Sequence, residues 1–306
     1  MTCYYPLHAY KGKSNDAPKI SITFRRSSSW RGEKLELPCG QCIGCRLERS
    51  RQWAVRCMHE ASMHEENSFL TLTYDDDHMP KNKSLVLSDY QNFMKRLRKS
   101  IAPKKVRYYH CGEYGEKLER PHYHSLLFGH DFEDKKYFTK RGDHRLFTSE
   151  TLSGLWPYGY SVIGDVTFES AAYVARYIMK KVTGERAEEH YDGRTPEYTT
   201  MSRRPGIGKT WFEKFSSDVY THDRVVVRGH YTRPPRFYDN ILSKIDPSLH
   251  ALLKIKREIN GNRFVPDVLS DGRKIMVSDS CGMRLLVREE VKKAQLNQLK
   301  RPLEEL

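Results

Sequence analysis

Apolar residues recur along this chain with two periods. From Ile43 to about Glu66 the positions Ile43, Leu47, Ala54, Cys57 and Ala61 keep helical spacing, with Arg46, Arg49, Arg51 and Arg56 between them. Phe69 to Tyr74 instead alternates and is rich in strand-forming residues, which predicts a β-strand. Ser88 can cap a helix that carries Phe93, Leu97 and Ile101 on one side. Val106 to Cys111 reads as a second strand, His122 to Phe128 as a third after a charged hairpin, and Tyr160 to Val166 as a fourth. Between the last two, Thr148 or Ser149 opens a short helix ending at Trp156, and Ser170 starts a longer one running to about Val182. Residues 11–35 are a polar lead-in, irregular or β-containing. Past Gly184 the pattern loosens to a short strand at Val225–Val227, a helix near 238–257 and a C-terminal helix near 283–300.

Composition narrows the class. The 306 residues include 53 Lys and Arg against 39 Asp and Glu, a net charge of +14, with 38% hydrophobic and 11% aromatic residues. That apolar content supports a packed core and excludes a wholly disordered basic chain. No run approaches the ~18 apolar residues of a membrane span. Met1 to Tyr10 lacks the apolar stretch of a secretory signal, so a cytosolic, membrane-free protein is expected. Surplus cations on a folded chain point to a polyanion, with nucleic acid first. Between Asp89 and Glu113 no acidic residue occurs, while Lys95, Arg96, Arg98, Lys99, Lys104, Lys105 and Arg107 do. Such a run attracts phosphates by counterion release, and Arg46, Arg49 and Arg51 extend it. Arg228, Arg233 and Arg236 with Tyr231, Phe237 and Tyr238 add charge and stacking surfaces for single-stranded DNA. Arg203 to Thr210 mimics a phosphate loop but has Arg where the Walker pattern needs its first Gly, which excludes a nucleoside triphosphate site.

The seven cysteines are odd in number, which argues against a disulfide framework. Cys39, Cys42 and Cys45 form two overlapping CxxC steps that let thiolates converge on one soft cation. A structural Zn²⁺ needs a fourth ligand; Cys3 is the first choice, with His8 and Cys57 as alternates. Cys57 lies on the core face of its helix and reads as a small buried hydrophobe.

Chemistry concentrates in Arg120-Pro121-His122-Tyr123-His124. Alternation on a strand turns His122 and His124 to one face and Tyr123 to the other. Alone, a His-x-His is a weak signal. Glu113 on the preceding strand can join the pair across a hairpin, with Glu116 as alternate. Two imidazoles and a carboxylate hold a divalent cation and leave positions open for phosphate and water. Further on, Ala171, Val174, Ala175, Ile178 and Val182 form the core stripe of the fourth helix, while Tyr173, Tyr177 and Lys180 fall opposite. By themselves these would be rim tyrosines and a solvated lysine. Beside a metal they are nucleophiles for phosphorus, with Lys180 or Lys181 offsetting the developing negative charge.

The FLTLTY strand, the strand with Glu113, the His122-Tyr123-His124 strand and the helix with two tyrosines together resemble the HUH endonucleases. With Cys39-Gly40-Gln41-Cys42-Ile43-Gly44-Cys45-Arg46, the set resembles more narrowly the rolling-circle replication initiators of gokushovirus-type single-stranded DNA phages (Microviridae). The resemblance covers roughly residues 1–210. It implies an α+β fold in which a central antiparallel sheet with flanking helices forms an HUH, RRM-like core, with a Cys-rich N-terminal segment and a helical C-terminal extension. The corresponding division is 1–66, 67–183 and 184–306. It further implies Mg²⁺ or Mn²⁺ on His122, His124 and the acidic ligand, and Tyr173 and Tyr177 as nucleophiles that nick the plus strand, keep its 5′ phosphate and rejoin the displaced strand into a circle. Implied partners are single-stranded and replicative-form double-stranded DNA at an origin, with host DNA polymerase and helicase, in the cytoplasm of a bacterial host. Two other readings compete: a plasmid initiator, relaxase or single-strand transposase of the same fold, and a non-catalytic zinc-containing DNA-binding protein. The paired tyrosines weigh against the single-tyrosine enzymes, and the second reading leaves the histidines and tyrosines as coincidence.

Overall fold

The computed structural model describes residues 3–12, 21–115, 118–176, 181–182, 184–261, 264–268, 272–278 and 280–298. Tyr177, Lys180 and Glu116 lie outside the described residues. The chain divides into two compact units, the larger built from Arg49–Pro247, the smaller from the chain up to Glu48 and again from Ser248. These limits do not coincide with the 66/67 and 183/184 boundaries read from the sequence.

The smaller unit begins with β1 (Leu7–Gly12), β2 (Ile22–Thr23) and β3 (Ser29–Leu37), an antiparallel sheet in the order β2-β1-β3. The long helix α1 (Ile43–Ala61) carries the chain into the larger unit. There follow β4 (Asn67–Tyr74), α2 (Leu87–Ser100), β5 (Arg107–Tyr114), β6 (Pro121–Phe128), β7 (Lys136–Arg141), β8 (His144–Thr148), α3 (Glu150–Leu155), β9 (Gly159–Gly164) and α4 (Phe168–Arg176). The larger unit closes with α5 (Arg186–Tyr191), β10 (Tyr198–Met201), α6 (Lys209–His222), β11 (Val225–Val227), β12 (His230–Thr232) and α7 (Arg236–Ile245). The chain then forms α8 (Pro247–Gly261), β13 (Phe264–Val268), β14 (Lys274–Ser278) and α9 (Gly282–Asn297). The apolar pattern suggested one helix over 238–257. Two form because Pro247 starts α8 at the position a proline tolerates and cannot continue α7.

Seven strands make the main sheet, in the order β10-β5-β6-β4-β9-β8-β7, every pair antiparallel. This is the expected α+β architecture, a large antiparallel sheet flanked by helices. Period-two alternation gives it two different faces. On one, Phe69, Tyr109, Cys111, Leu126 and Phe128 pack against Ala54 and Cys57 of α1 and Ala171, Val174 and Ala175 of α4. On the other, Leu70, Leu72, Tyr123 and Leu127 pack against Tyr90, Phe93 and Leu97 of α2 and Leu152 of α3. The second face also buries tyrosine hydroxyls, each with partners. Tyr74 donates to Asp89 at 2.7 Å and lies 2.9 Å from the Tyr123 hydroxyl, which in turn donates to the carbonyl of Val86 at 3.0 Å. Buried hydroxyls satisfied in this way fix strand register at little cost. No helix among the described residues is long and apolar enough to cross a membrane.

One buried carboxylate fastens the loop that resembled a phosphate loop. Glu60, near the end of α1, pairs with Arg107 and accepts the amide of Gly208 at 2.6 Å. Arg107 also donates to the carbonyl of Pro205 at 2.7 Å, and Arg56 to that of Ile207 at 3.0 Å. Gly208 has φ +76, and a Cβ there would stand 2.7 Å from the Tyr238 hydroxyl. The loop's glycine therefore serves close packing, and its amide serves Glu60, which agrees with the exclusion of a nucleoside triphosphate. Burial alone would raise the pKa of Glu60; the hydrogen bonds from His64, the Gly208 amide and Arg107 outweigh it and leave the group below its ordinary value of 4.5.

Since Glu60 titrates lower folded than unfolded, its contribution to stability is complete above the ordinary glutamate range and is lost as pH falls through the depressed value. Glu60→Gln should lower the unfolding free energy at neutral pH by about 3 kcal/mol, the scale of breaking a buried ion pair. It should also flatten the acid-side decline. Urea unfolding of both proteins across pH 3–7 measures the two effects, and parallel pH profiles would count against this role.

Candidate active site

Three neighbouring strands set the site by register. β4 and β5 flank β6, and Thr71 and Cys111 stand opposite His124, while Thr73 and Glu113 stand opposite His122. Directly opposed residues share a face, so all six side chains project toward the side covered by α1 and α4. The expected same-face placement of His122, His124 and Glu113 follows from this pairing. Glu113 Oε1 lies 2.7 Å from His124 Nε2, a diagonal contact across the β5–β6 hairpin. His124 is 2% exposed and Glu113 3%, whereas His122 is half-buried at the outer edge of the row.

The two threonines orient the imidazoles. Thr71 Oγ1 lies 3.0 Å from His124 Nδ1, and Thr73 Oγ1 lies 2.9 Å from His122 Nδ1. With each Nδ1 engaged, Nε2 is the nitrogen each ring presents outward, the arrangement by which metal-binding histidines are held. Burial first, and then the charges of His124 and Arg120, push the pKa of His122 down to about 3, so this ring is neutral at physiological pH. A neutral imidazole keeps the lone pair that a ligand needs. Phe69 stacks on the His124 ring at 5.8 Å. Gly115 closes the outer side: a Cβ there would come within 2.8 Å of His122 Nε2.

Helix α4 brings the phenol. Tyr173 Oη donates to Glu113 Oε1 at 3.2 Å and lies 3.4 Å from His124 Nε2, with its ring edge-on to His124 at 5.0 Å. The periodicity placed Tyr173 opposite the core stripe, as a rim residue; the structure buries it to 3% exposure. The reason is that Ser170, Ala171, Tyr173, Val174 and Ala175 are all buried. At ~100° per residue they span roughly 200° of the helix. One side meets the sheet, and Ser50 of α1 donates to the carbonyl of Ala172 from another. Lys181 is exposed, and the amide of the next residue, Val182, donates to the Tyr191 hydroxyl at 2.9 Å.

In the smaller unit Cys3, Cys39, Cys42 and Cys45 converge, their sulfurs all within 4.8 Å of one another. This group can hold a metal ion. Of the two alternates for the fourth ligand, His8 is exposed and Cys57 is buried in the core of the larger unit. Backbone amides of Cys39 and Cys42 point at the sulfurs of Cys3 and Cys39, at 3.2 and 3.3 Å. Burial works to raise the Cys42 pKa, but the amides of Tyr4 and Cys45 and the neighbouring thiols bring it down to about 7. Gly40, at φ +76, supplies the turn between the first two ligands of the CxxC steps.

The cationic residues separate. Lys95, Arg98 and Lys99 are exposed on α2, beside exposed Lys105, so this patch lies on the sheet face opposite the histidines. Lys104 pairs with Glu66. Arg96 turns inward, donating to the carbonyl of Leu155 at 2.9 Å. Arg49 is exposed and Arg46 half-buried on α1. Tyr238 is fully buried, 2.8 Å from His59 Nδ1 through its hydroxyl, and Phe237 lies under Arg56 at 3.8 Å, so neither ring offers a stacking surface; Tyr231 does. The residue signals alone missed Thr71 and Thr73. Their alternation within Phe69-Leu70-Thr71-Leu72-Thr73-Tyr74 was visible, but not which strand they would face.

A family model for the replication-associated protein ORF2 matches residues 67–182, the stretch that contains Glu113, His122, His124 and Tyr173. The chain is 35% identical to replication-associated protein VP4 of Bdellovibrio phage phiMH2K over 257 residues, covering 81% of this chain and 79% of that protein. It is 31% identical to replication-associated protein ORF2 of Spiroplasma virus 4, covering 74% of each, and 33% identical to replication-associated protein ORF4 of Chlamydia phage 1, covering 68% of this chain and 54% of that protein. No solved structure matches. A shared sequence over most of both chains, with the buried His-Glu-Tyr cluster inside the matched region, makes this chain a member of the replication-associated proteins of Microviridae-type phages.

Proposed function

We propose that this protein initiates rolling-circle replication by nicking the plus strand of a phage origin through tyrosine attack and later rejoining the displaced strand into a circle. The observation that carries the reading is the Tyr173 hydroxyl, 3.2 Å from Glu113 and 3.4 Å from His124 in a buried cluster. The phenolic proton already has a carboxylate acceptor, so the oxygen can approach phosphorus as its proton moves toward Glu113 Oε1. Attack forms a bond from phosphorus to Tyr173 Oη and breaks the bond from phosphorus to the 3′ oxygen. The 3′ oxygen leaves, takes up a proton and becomes a hydroxyl that a host polymerase can extend. The 5′ phosphate stays on the tyrosine, conserving the ester for rejoining. Tyr177, one helical turn along in sequence, is the second nucleophile of this reading, and Lys180 or Lys181 offsets charge on the phosphate.

Two outward Nε2 atoms and a carboxylate on one face are a donor set suited to Mg²⁺ or Mn²⁺ with open positions. Bound there by His122, His124 and Glu113, such an ion would supply Lewis-acid polarisation of the scissile phosphate. The four-cysteine cluster suits tetrahedral Zn²⁺, which would fold the N-terminal segment around it. Single-stranded and replicative-form DNA at the origin, with host polymerase and helicase, complete the reading, acting in the cytoplasm of a bacterial host. Exposed Lys95, Arg98, Lys99 and Lys105, with Arg49 on the other face, provide phosphate contacts that position DNA without reading its sequence.

A single-stranded oligonucleotide carrying the cognate origin should form a covalent adduct in Mg²⁺ or Mn²⁺, detected by gel shift and by mass spectrometry of the labelled peptide. Tyr173→Phe should retain partial nicking through Tyr177, the double Phe variant none, and His122→Ala or His124→Ala should lose at least ~100-fold. An adduct surviving in the double variant would sink the assignment.

Gly115→Ala should weaken metal binding ~10- to 100-fold, because a methyl group crowds His122 while Thr73 pins its other side. Mn²⁺ titration followed by paramagnetic resonance tests this, with circular dichroism confirming an intact fold; unchanged affinity would contradict it. Purified protein should contain one zinc per chain by elemental analysis, lost in Cys42→Ser and kept in Cys57→Ala. Full zinc content in Cys42→Ser would remove the site.

A further inference from the structure

β11 and β12 form a hairpin whose turn is Arg228-Gly229, with φ +52 and +77. Two positive φ values are those of the tight turn that suits the twist of paired strands. Glycine takes this backbone freely; arginine does so at a cost, so its side chain needs another reason to be there. Arg228 pairs with Glu169 at 2.7 Å, in the first turn of α4. The other end of the hairpin is tied to α1, since Arg51 donates to Thr232 Oγ1 at 2.9 Å and to the carbonyl of Arg233 at 3.0 Å. The hairpin is thereby held beside the start of the helix that carries Tyr173.

An open cleft of about 640 Å³ lies between these elements, with Arg51, Phe168, Arg228, His230 and Tyr231 among its walls. Tyr231 is 66% exposed, unusual for so large a ring, and the Arg224 guanidinium lies over it, 3.7 Å from the ring centre. An exposed phenol ring backed by a guanidinium is a ready surface for a nucleobase, and the surrounding arginines suit its phosphates. The volume falls within the ~300–1,000 Å³ of small-ligand clefts, which admits individual nucleotides and not a duplex. Phe168 precedes Tyr173 by five residues, ~7.5 Å along the helix axis. That is about two stacked nucleotide steps of ~3.4 Å.

Resting on the nicking function proposed above, we propose that this cleft is a single-stranded DNA subsite adjoining the scissile phosphate, in which Tyr231 stacks on an unpaired base and Arg228 and Arg51 hold backbone phosphates. Glu169 competes with phosphate for Arg228 and so keeps the arginine in place when no DNA is bound. The basic surface of α2 lies on the opposite sheet face and offers phosphate contacts, so strand type is discriminated at the hairpin.

The test is fluorescence anisotropy in EDTA, which separates binding from chemistry, using a labelled 12-nucleotide oligothymidylate and a duplex of equal length. Tyr231→Ala should weaken single-strand binding about 5- to 150-fold, the range for losing one base stack, while Tyr231→Phe stays within about twofold and duplex binding changes little. Arg228→Ala should weaken single-strand binding and reduce the slope of log affinity against log salt by about one. Photo-crosslinking with a halogenated pyrimidine should label the peptide containing Tyr231. Single-strand affinity unchanged in Tyr231→Ala, or lost equally for single strand and duplex, would overturn the subsite. Its failure is distinguishable from failure of the nicking function. In the first case the wild type still forms the tyrosyl adduct and Tyr231→Ala binds as well as it does; in the second no adduct forms, yet the Tyr231→Ala binding defect remains.

Discussion

The antiparallel register of β4, β6 and β5 is the constraint on which the site depends. It sets Thr71 and Cys111 on either side of His124, and Thr73 and Glu113 on either side of His122, in two rows on one sheet face. A slip of one residue in β6 would turn both histidines to the α2 side and bring Tyr123 and Ser125 into their place. Register is defended from the far face, where the Tyr123 hydroxyl is held by Tyr74 and Val86, and the Ser125 hydroxyl lies 2.7 Å from that of Tyr90. The hydrogen bonds that look purely structural thus fix the positions of the groups that look chemical.

Burial is what makes the cluster useful. In water a phenol, an imidazole and a carboxylate would each be solvated independently. Here Tyr173, His124 and Glu113 share one nearly dry space, and the polar atoms find each other at 2.7 to 3.4 Å. The exposure gradient from His124 to half-buried His122 leaves the outer end of the row open to a ligand. Helix α4 then links this interior to the surface, since its first turn meets the β11–β12 hairpin through Glu169 and Arg228 while its middle carries Tyr173.

The cysteine cluster follows a different logic. Two CxxC steps bring three thiols near one another over a short stretch of backbone, and pairing of β1 with β3 returns the N-terminal segment alongside. The fourth sulfur, from Cys3, is therefore a tertiary contact, although the other three are local. Its site belongs to the smaller unit, and the histidine site to the larger.

Much was legible in the residues themselves. Alternation in Phe69–Tyr74 and His122–Phe128 predicted strands, and the same alternation put His122 and His124 on one face, because side-chain direction on a strand is a local property. The likeness to phage initiators rested on such local motifs, and comparison over most of the chain supports it. Short, polar elements escaped: β7, β8, β10 and α6 carry too few periodic apolar residues to announce themselves, and they form because the sheet edge or a helix is there to receive them. The sequence by itself determined which residues carry chemistry and which share a strand face. Only the tertiary structure decided that threonines would orient the imidazoles, that Tyr173 would be buried against Glu113, and that the α2 basic patch would lie behind the sheet. Each of those depends on which elements pack together, and helical or strand periodicity records a residue's direction, not what stands opposite it.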